Sequence, residues 1–594
     1  MIWAYLKKEV EVLRRTKIVA TIGPASESPD MLAQLIKAGV DVVRLNMSHG
    51  TLDEHRRRIA TVRAVAAEVG RPVAIMLDLK GPEIRLGTFA AGSVMLSPGE
   101  RFTITSRAVV GSEREVSVEL PDFARYLAPG ETILLDDGNL KLTVEEISGP
   151  DVICRVVDGG PLSNRKKVNL PGIKVPLPAV GPDDLTALRL GVEVGVEFVA
   201  ASFVRSAADV LAVRHVIEEA GGDQHIIAKI ENAEGVENLD EILRAADGLM
   251  VARGDLGVEI PSEEVPLHQK TMIERCLQVG KPVITATQML ESMVERARPT
   301  RAEASDVANA IFDGTDAIML SAETATGKHP LEAVETMARI AERTERALDH
   351  EQFLARRQHC PSRTVTNAVG YATCSLAATL GAAAIITATT SGHTARLIAR
   401  YRPAAPIIAT VTSERVQRKL TLIWGVMPLV VARAKDTDAL VEESVAAARA
   451  AGLITSGDLV VVTAGVPVGI PGTTNLIKVH TVGDVLVRGT GIGNRSATGR
   501  AVVCHNAREA MQRFAPGDIL VAPGTDQDYA DVIANAAAIV VEEGGLASHA
   551  AKIAVRLGIP AVVDAEGATG RLPDGGVITV DAARGLVYRG ATRV

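Results

Sequence analysis

From Lys17 to about residue 350, short apolar runs alternate with segments whose apolar positions recur at helical spacing. One such segment, SPDMLAQLIKAG, begins with Ser28 and Pro29 and stops at Gly39, as helices do. Unbroken apolar strands that alternate with helices are typical of parallel sheets covered on both faces. Eight such units favour a (β/α)8 barrel, with strands predicted at 17–24, 41–48, 72–79, 197–204, 225–232, 248–255, 282–288 and 317–324.

A different pattern interrupts the barrel between Asp78 and Pro182. Apolar and polar residues alternate there in short runs separated by Gly and Pro turns, among them RFTITS, ETILLDDG and LKLTVEEI. This period of two predicts an antiparallel β domain, inserted after the third barrel strand. An insertion at the catalytic face of a barrel could act as a lid that excludes water, whereas the simpler alternative is a decorative insertion.

A second α/β pattern follows the polar stretch HEQFLARRQHCPSR and predicts an open doubly wound sheet. One strand-to-helix loop in this region offers hydroxyl and backbone N–H groups to a phosphate, and it consists of Thr389, Thr390, Ser391, Gly392, His393 and Thr394. The Gly/Pro-rich loop 465–475 is a second candidate. An ordinary helix cap and a turn explain the two loops equally well.

The last segment begins Gly-rich and continues with short β runs. Its GTGIG resembles part of a dinucleotide fingerprint, but no helix pattern follows, and we therefore discount it. Gly544 and Gly545 precede a predicted helix with His549 in its first turn. The predicted domains are a catalytic barrel (1–82 and 180–350), a lid (83–179), an α/β domain (351–481) and a terminal domain (482–594).

Polar side chains gather where the predicted barrel strands end. They are Arg44, Asn46 and Ser48 after the second strand, Asp78 after the third, Lys229 and Glu231 after the fifth, Asp255 after the sixth and Thr287 after the seventh. Catalytic groups of (β/α)8 barrels lie at this end. Two carboxylates beside a lysine suit a divalent cation and an anionic substrate. A surface ion-pair cluster is the weaker alternative, because charges that interrupt apolar runs are costly to desolvate.

Composition and charge narrow the class of protein. A net charge of −8 and 3% aromatic residues argue against a general affinity for nucleic acid or anionic membranes. The five cysteines are scattered without a CxxC pair, as in reduced cytosolic proteins. The N-terminal MIWAYLKKEVEVLRR is too short and too charged for a signal peptide, and no apolar run reaches transmembrane length. We therefore expect a cytoplasmic protein.

Taken together, these stretches resemble the pyruvate kinase family. Matching segments follow one order along nearly the whole chain, among them KIVATIGPAS, VVRLNMSHG, LDLKGPEIRLG, KVNLPG, AKIENAEG, MVARGDLGVEI and TATQMLESM. The terminal segment resembles the swivelling phosphohistidine (mobile) domain of phosphoenolpyruvate-utilising enzymes, which some bacterial pyruvate kinases carry. The resemblance implies a β-barrel lid, a homotetramer, and transfer of phosphate from phosphoenolpyruvate to ADP, which gives pyruvate and ATP.

The resemblance also implies roles for the polar residues at the strand ends. The catalytic and substrate-binding positions are Arg44, Lys229, Gly254, Asp255 and Thr287. Lys229 would stabilise the transferring phosphoryl group and the enolate, and Arg44 would contact the phosphate. Glu231 and Asp255 would bind Mg²⁺ or Mn²⁺. Thr287 would assist protonation of the enolate together with water.

Ion and nucleotide contacts follow from the same resemblance. The family's monovalent-cation site matches Asn46, Ser48, Asp78 and the carbonyl of Leu79. Glu83 is typical of members that require K⁺, whereas Leu79 and Leu86 resemble members that do not, so these signals conflict. The nucleotide contacts match Asn46, His49, Arg85 and Lys166. Lys167 stands where the family usually has glycine.

Regulation and the terminal domain leave alternatives open. A phosphorylated effector would bind the 389–394 loop, and a sugar monophosphate or AMP fits this bacterial group better than fructose bisphosphate. A catalytically silent sensor of such ligands is a competing hypothesis. Phosphoenolpyruvate synthesis through His549 is a third. Because Ala547 stands where phosphohistidine domains have threonine, and no ATP-binding partner domain is evident, a structural or regulatory terminal domain is the better interpretation.

Overall fold

The apolar runs of the first half form a closed barrel in a computed structural model, which describes residues 14–357, 364–466, 474–483 and 485–591. All eight strands pair in parallel. In chain order they are Lys17–Thr21, Val42–Asn46, Ala74–Asp78, Phe198–Ala201, His225–Ile230, Gly248–Ala252, Val283–Ala286 and Ala317–Leu320. The predicted barrel is confirmed. Each strand is shorter than its predicted run. Glu231 and Thr287 lie just beyond their strands, whereas Asn46 and Asp78 are the last residues of theirs.

Helices surround the barrel, and their ends carry the expected caps. Thr51 and Glu54 form a capping box at the start of Leu52–Val69, and Gly70 ends that helix in the left-handed conformation. The helices of this region are Pro29–Ala38, Leu52–Val69, Pro182–Glu193, Ala207–Glu219, Ala233–Glu237, Leu239–Ala245, Arg253–Glu259, Val265–Val279, Arg301–Asp313, Ala322–Ala325, Pro330–Glu345 and His350–Arg356. Alternate strand residues such as Met76, Ile227 and Met250 fill the barrel interior, so the barrel is a packed core.

The insertion after the third barrel strand forms a β-sheet around its own apolar core. Its strands are Ile84–Arg85, Ser93–Leu96, Arg101–Thr105, Glu115–Ser117, Thr132–Leu135, Leu140–Ser148, Asp151–Asp158, Gly160–Ser163 and Lys167–Asn169. Seven of these strands form one sheet, and Ser93–Leu96 pairs separately with Gly160–Ser163. An isolated bridge between Leu86 and Val118 lies just beyond the two edge strands of the seven-stranded sheet, Ile84–Arg85 and Glu115–Ser117. One pair departs from the antiparallel pattern, since Arg101–Thr105 and Glu115–Ser117 run in parallel.

The α/β segment supplies the strands that the pattern predicts. They are Ala384–Ala388, Ile407–Val411, Val426–Val430, Leu459–Gly465 and Thr474–Thr481. The second and third of these pair in parallel, as do the first and fourth, whereas the fifth is antiparallel to the fourth. The helices are Val365–Leu380, His393–Ala399, Glu414–Leu420 and Thr437–Ala450. Part of the second candidate phosphate loop, 467–473, lies outside the described residues.

The terminal segment folds around an eight-stranded sheet with two apolar layers. Its strands are Val485–Arg488, Thr490–Ile492, Ser496–Val503, Ile519–Ala522, Ala538–Val541, Ala561–Val563, Val577–Asp581 and Leu586–Arg589. Its helices are Ala507–Arg513, Ala530–Ala534, His549–Leu557 and Ala568–Arg571. The strand Ser496–Val503 follows the GTGIG stretch, so the stretch does not open a helix as a dinucleotide fingerprint does.

Two compact units divide the chain. The first comprises Met1–Tyr371 and Thr389–Val430, and the second Ala372–Ala388 and Val431–Val594. The catalytic barrel, the lid and the 389–394 loop all belong to the first unit. Among the described residues, no helix is both long and apolar enough to cross a membrane.

Candidate active site

Lys229 stands at the centre of a polar cluster at the carboxyl ends of the barrel strands. The fifth strand projects Lys229 and Glu231 to the same side, because successive strand residues alternate between faces. The Lys229 ammonium lies 2.9 Å from Glu231 Oε1 and 3.2 Å from Asp78 Oδ1, and it donates to Ser202 Oγ at 2.7 Å. A buried cation is thus held by three oxygens from three different strand ends.

Burial and neighbouring charges shift the pKa of Lys229 in opposite directions. Burial lowers the pKa of Lys229, but Asp78 and Glu231 outweigh it, so the pKa rises and the ammonium stays charged. Burial also raises the pKa of Glu231, to about 7, and the nearby Asp255 adds to the rise. Because Glu231 and Asp255 are two neighbouring carboxylates, a further cation between them would be favoured.

Arg44 and Asp78 form a second buried ion pair beside Lys229. Arg44 Nε donates to Asp78 Oδ2 at 2.5 Å, and Arg44 Nη1 donates to Thr21 Oγ1 at 2.9 Å. Burial raises the pKa of Asp78, yet Arg44 and Lys229 reverse the shift, so its pKa is lowered. Arg44 remains 11% exposed, which leaves its guanidinium accessible to an anion in the cleft.

Two residues after the fourth strand join the site although the sequence pattern did not select them. Ser202 Oγ contacts Leu79 O at 2.7 Å and Asp78 Oδ1 at 3.3 Å, in addition to Lys229. The backbone N–H of Phe203, which has a positive φ of 54°, donates to Glu231 Oε2 at 2.6 Å. Only the position of Ser202 in the sequence could have indicated its role, because it directly follows an apolar strand, as Thr287 does.

The turn after the seventh strand is held in an uncommon conformation. Thr287 has φ 67°, which is unusual for a β-branched residue. Arg253 fixes the turn from the neighbouring strand end, because its guanidinium donates to Ala286 O at 3.1 Å and to Thr287 O at 2.7 Å. Thr287 Oγ1 then accepts a hydrogen bond from the N–H of Gly254 at 2.8 Å. The hydroxyl therefore points toward the segment that carries Asp255.

Asp255 begins a short helix rather than ending the sixth strand. The strand stops at Ala252, and Asp255 lies in the first turn of Arg253–Glu259. Its carboxylate accepts a hydrogen bond from Lys167 Nζ, a lid residue, at 2.5 Å. The pKa of Asp255 is lowered, because Lys167 and Lys229 outweigh the effect of burial.

The oxygens of this cluster fit the expected cations. Glu231 and Asp255 are close enough to influence each other's pKa, and carboxylate oxygens are the ligands that Mg²⁺ prefers. Glu231 Oε1 is buried and its one close polar partner among the described residues is the Lys229 ammonium at 2.9 Å, so it retains lone-pair capacity for a further cation. Among the described residues there is no cluster of three or more His, Cys, Asp or Glu side chains that could hold a metal ion. Further ligands would come from substrate and water.

The nucleotide positions do not meet in this structure. Arg85 binds Glu83 at 2.5 Å and the carbonyl of Arg165, while Lys166 binds Asp136 at 2.6 Å. Both partners of each contact belong to the lid. His49 is exposed on the barrel side, and the Asn46 side chain accepts a hydrogen bond from the N–H of Ser48 at 3.1 Å. The Arg85 and Lys166 side chains are 31% and 38% exposed, so both keep surface that a nucleotide could contact.

Comparison with known proteins places this site in a family. The model of the pyruvate kinase barrel domain matches residues 13–334, and that of the pyruvate kinase alpha/beta domain matches residues 367–480. The chain belongs to the pyruvate kinase family. The model of the mobile domain of PEP-utilising enzymes matches residues 514–585.

Curated pyruvate kinases resemble the chain along its full length. It is 53% identical to pyruvate kinase of Geobacillus stearothermophilus over 585 residues, which are 98% of this chain and 100% of the relative. It is 50% identical to pyruvate kinase of Bacillus licheniformis and 45% identical to that of Staphylococcus epidermidis, each over 98% of this chain and 100% of the relative. As a member of the pyruvate kinase family, the protein is an enzyme, a phosphotransferase.

The candidate effector loop of this family member connects a strand with a short helix. Thr389 Oγ1 accepts a hydrogen bond from the N–H of Gly392 at 3.1 Å, and Gly392 has φ 77°. Arg396 lies one turn further along the helix and donates to Ser391 O at 3.4 Å. Burial lowers the pKa of His393, and Arg396 and Arg400 add to the shift. The loop thus presents hydroxyls next to basic side chains.

His549 begins a helix in the terminal domain, as the sequence predicts. Ser548 caps that helix, and its hydroxyl accepts a hydrogen bond from the N–H of Ala551. His549 Nδ1 lies 3.0 Å from Thr525 Oγ1, a residue of the neighbouring loop. This contact orients the imidazole ring but does not by itself supply a reaction.

Proposed function

We propose that the protein transfers the phosphoryl group of phosphoenolpyruvate to ADP, giving pyruvate and ATP. The observation that supports this most is the position of Lys229, a buried and charged ammonium between Glu231, Asp78 and Ser202. Phosphoryl transfer needs positive charge that is already in place where negative charge develops. A catalytically silent sensor would have no need to keep such a costly buried charge network.

The residues of the chain divide the work of the reaction. Arg44 and Lys229 bind the phosphate and hold it in line between substrate and acceptor. Lys229 also stabilises the enolate oxygen after transfer. The Thr287 hydroxyl, which accepts a hydrogen bond from the Gly254 N–H, guides a proton to the enolate carbon. A divalent cation at Glu231 and Asp255 supplies further neutralisation of the phosphate oxygens. The lid lies against this site through Lys167 and excludes water.

The monovalent cation and the nucleotide occupy neighbouring positions in this proposal. Oxygens of Asn46, Ser48 and Asp78 and the carbonyl of Leu79 form the K⁺ site, while Asn46, His49, Arg85 and Lys166 bind ADP. The K⁺ oxygens come from the ends of the second and third strands, which pair directly at Asn46 and Asp78. Oxygen donors of this kind suit an alkali cation as well as Mg²⁺.

A phosphorylated metabolite regulates the enzyme through the loop 389–394. A sugar monophosphate or AMP is the preferred effector, and fructose bisphosphate is the alternative. The support is chemical: hydroxyl groups, backbone N–H groups and Arg396 converge on one loop. The protein acts in this proposal as a cytoplasmic homotetramer with a barrel, a lid, an α/β domain and a terminal domain bounded as the sequence predicts.

A coupled assay tests the proposed reaction. Phosphoenolpyruvate, ADP, Mg²⁺ and K⁺ are mixed with the full-length protein, and pyruvate is followed by its enzymatic reduction. Pyruvate must form, and chelation of Mg²⁺ must stop its formation. No pyruvate above background in any ionic condition would rule the reaction out.

Activator titrations in the same assay test the regulation. Ribose 5-phosphate, AMP and fructose bisphosphate are added at low phosphoenolpyruvate concentration, to the wild type and to a Thr389→Ala, Ser391→Ala double variant. The effector should lower the apparent KM of the wild type and act more weakly on the variant. Equal activation of the two proteins would show that the effector does not bind at this loop.

A further inference from the structure

Lys167 places a positive charge on the carboxylate that is proposed to bind the divalent cation. It belongs to the last lid strand, Lys167–Asn169, and its ammonium lies 2.5 Å from Asp255 Oδ1. The same ammonium stands 4.3 Å from the centre of the Phe203 ring, within the range of a cation–π contact. The lysine stem therefore spans the gap between lid and barrel.

The setting of this ion pair differs from that of an ordinary surface contact. The Lys167 side chain is 11% exposed, whereas Lys174, another lid lysine that pairs with Glu237 of the barrel, is 65% exposed. The Asp255 side chain is 32% exposed, so the pair is partly buried, and such a pair is held more firmly than a fully exposed one.

A second contact holds the same strand against the barrel. Asn169 Nδ2 donates to Glu259 Oε1 at 2.6 Å, and Glu259 lies in the helix that carries Asp255. The two contacts are two residues apart on the lid strand, so both side chains project to one face. The lid strand is thus fixed to the helix of the proposed metal ligand.

We propose that Lys167 is a tethered counter-ion that competes with the divalent cation for Asp255. Its ammonium neutralises Asp255 and holds the lid on the barrel, and it must leave the carboxylate before that oxygen can bind a metal ion. The inference rests on the proposed role of Asp255 as a metal ligand. Since such coupling is reciprocal, the lid contact weakens metal binding and metal binding loosens the lid.

Metal binding without substrates tests the competition. Free Mn²⁺ is titrated with full-length protein and followed by electron paramagnetic resonance, for the wild type, Lys167→Met, Lys167→Gln and Lys174→Met. Both Lys167 variants should bind Mn²⁺ about tenfold more tightly than the wild type, a coupling in the usual range for linked sites. Lys174→Met removes an exposed lid–barrel pair and should bind as the wild type does. Unchanged or weaker binding by correctly folded Lys167 variants overturns the inference.

An Asp255→Ala variant separates this inference from the proposed function. If Asp255→Ala loses Mn²⁺ binding while the Lys167 variants keep the wild-type affinity, the metal site stands and the competition is wrong. If Asp255→Ala binds Mn²⁺ as the wild type does, Asp255 is not a ligand and both proposals fall.

The lid gives a readout that does not depend on activity. Two chain segments, 79–83 and 170–181, connect the lid to the barrel, and their amide hydrogen exchange can be followed by mass spectrometry. Mn²⁺ should accelerate exchange in these connecting segments of the wild type. In Lys167→Met the exchange should already be fast and should respond little to Mn²⁺. Identical responses in the two proteins contradict the proposed latch.

Discussion

At the scale of single residues, most members of the polar cluster could be predicted from their positions at the ends of apolar runs, whereas Ser202 and Phe203 were found only from their contacts. Lys229, Glu231, Arg44 and Asp78 interrupt apolar strands with charge, and the structure brings all four together. Such interruptions are visible in the sequence because a buried charge must have a partner. Ser202 was not predicted, since a serine after a strand is common and only its three oxygen contacts distinguish it.

The Ser202 hydroxyl is expected to position Lys229 for phosphoryl transfer. In Ser202→Ala the lysine loses one of its three oxygen partners, and kcat should fall about 10- to 100-fold, as with other residues that orient a catalytic group. Ser206→Ala is the matched control, because its side chain does not cap the helix that it precedes. The coupled assay measures both variants. A kcat for Ser202→Ala within twofold of the wild type would falsify this role.

At the scale of elements, the sequence predicted which segments are strands but not where each one ends. A strand ends at its last hydrogen-bonded pair, and that pair depends on the neighbouring strand as well as on the strand itself. The sixth strand stops at Ala252, and Asp255 therefore lies in the helix that follows. Lys167 likewise reaches Asp255 only because the lid folds back over the barrel. The parallel pair in the lid has the same cause, since pattern alone carries no strand direction.

His225, the first residue of the fifth strand, should make the free energy of unfolding depend on pH. Burial lowers the pKa of His225 to about 3, with Asp247 opposing the shift. The unfolded chain then binds a proton near pH 6.5 that the folded chain does not, so stability falls as the pH drops below about 6.5. Between about pH 7 and 5 the wild type should lose about 1–2 kcal/mol more than His225→Gln. Urea unfolding at both pH values measures this difference, and equal losses would contradict it.

At the scale of the whole molecule, the sequence pattern and the compact units describe the chain differently. Alternation of elements predicts four domains, whereas the structure divides into two units whose boundary passes through the α/β segment, at Tyr371, Ala388 and Val430. Sequence pattern reports which elements exist, while compactness depends on contacts between elements far apart in the chain. The 389–394 loop and the barrel belong to the same unit.

The terminal domain is expected to be dispensable for the chemistry of the barrel. His549 contacts Thr525 and belongs to the second unit, whereas Lys229 and Asp255 belong to the first. His549→Ala should therefore form pyruvate with a kcat within about twofold of the wild type, since no step of the proposed mechanism uses it. Incubation with ³²P-labelled phosphoenolpyruvate provides a second measurement. Acid-labile label on His549 would show that the domain carries phosphate after all.

The central claim is that Lys229 supplies the preorganised charge for phosphoryl transfer while Glu231 and Asp255 bind the metal ion. Methionine at position 229 is an unbranched side chain one atom shorter than lysine, so it fills most of the same space and removes the charge. The most direct measurement is kcat for pyruvate formation by Lys229→Met, together with its affinity for Mn²⁺. We predict a loss of at least about 10³-fold in kcat with Mn²⁺ affinity changed only a few-fold. Near-normal turnover, or loss of metal binding together with turnover, would contradict the account.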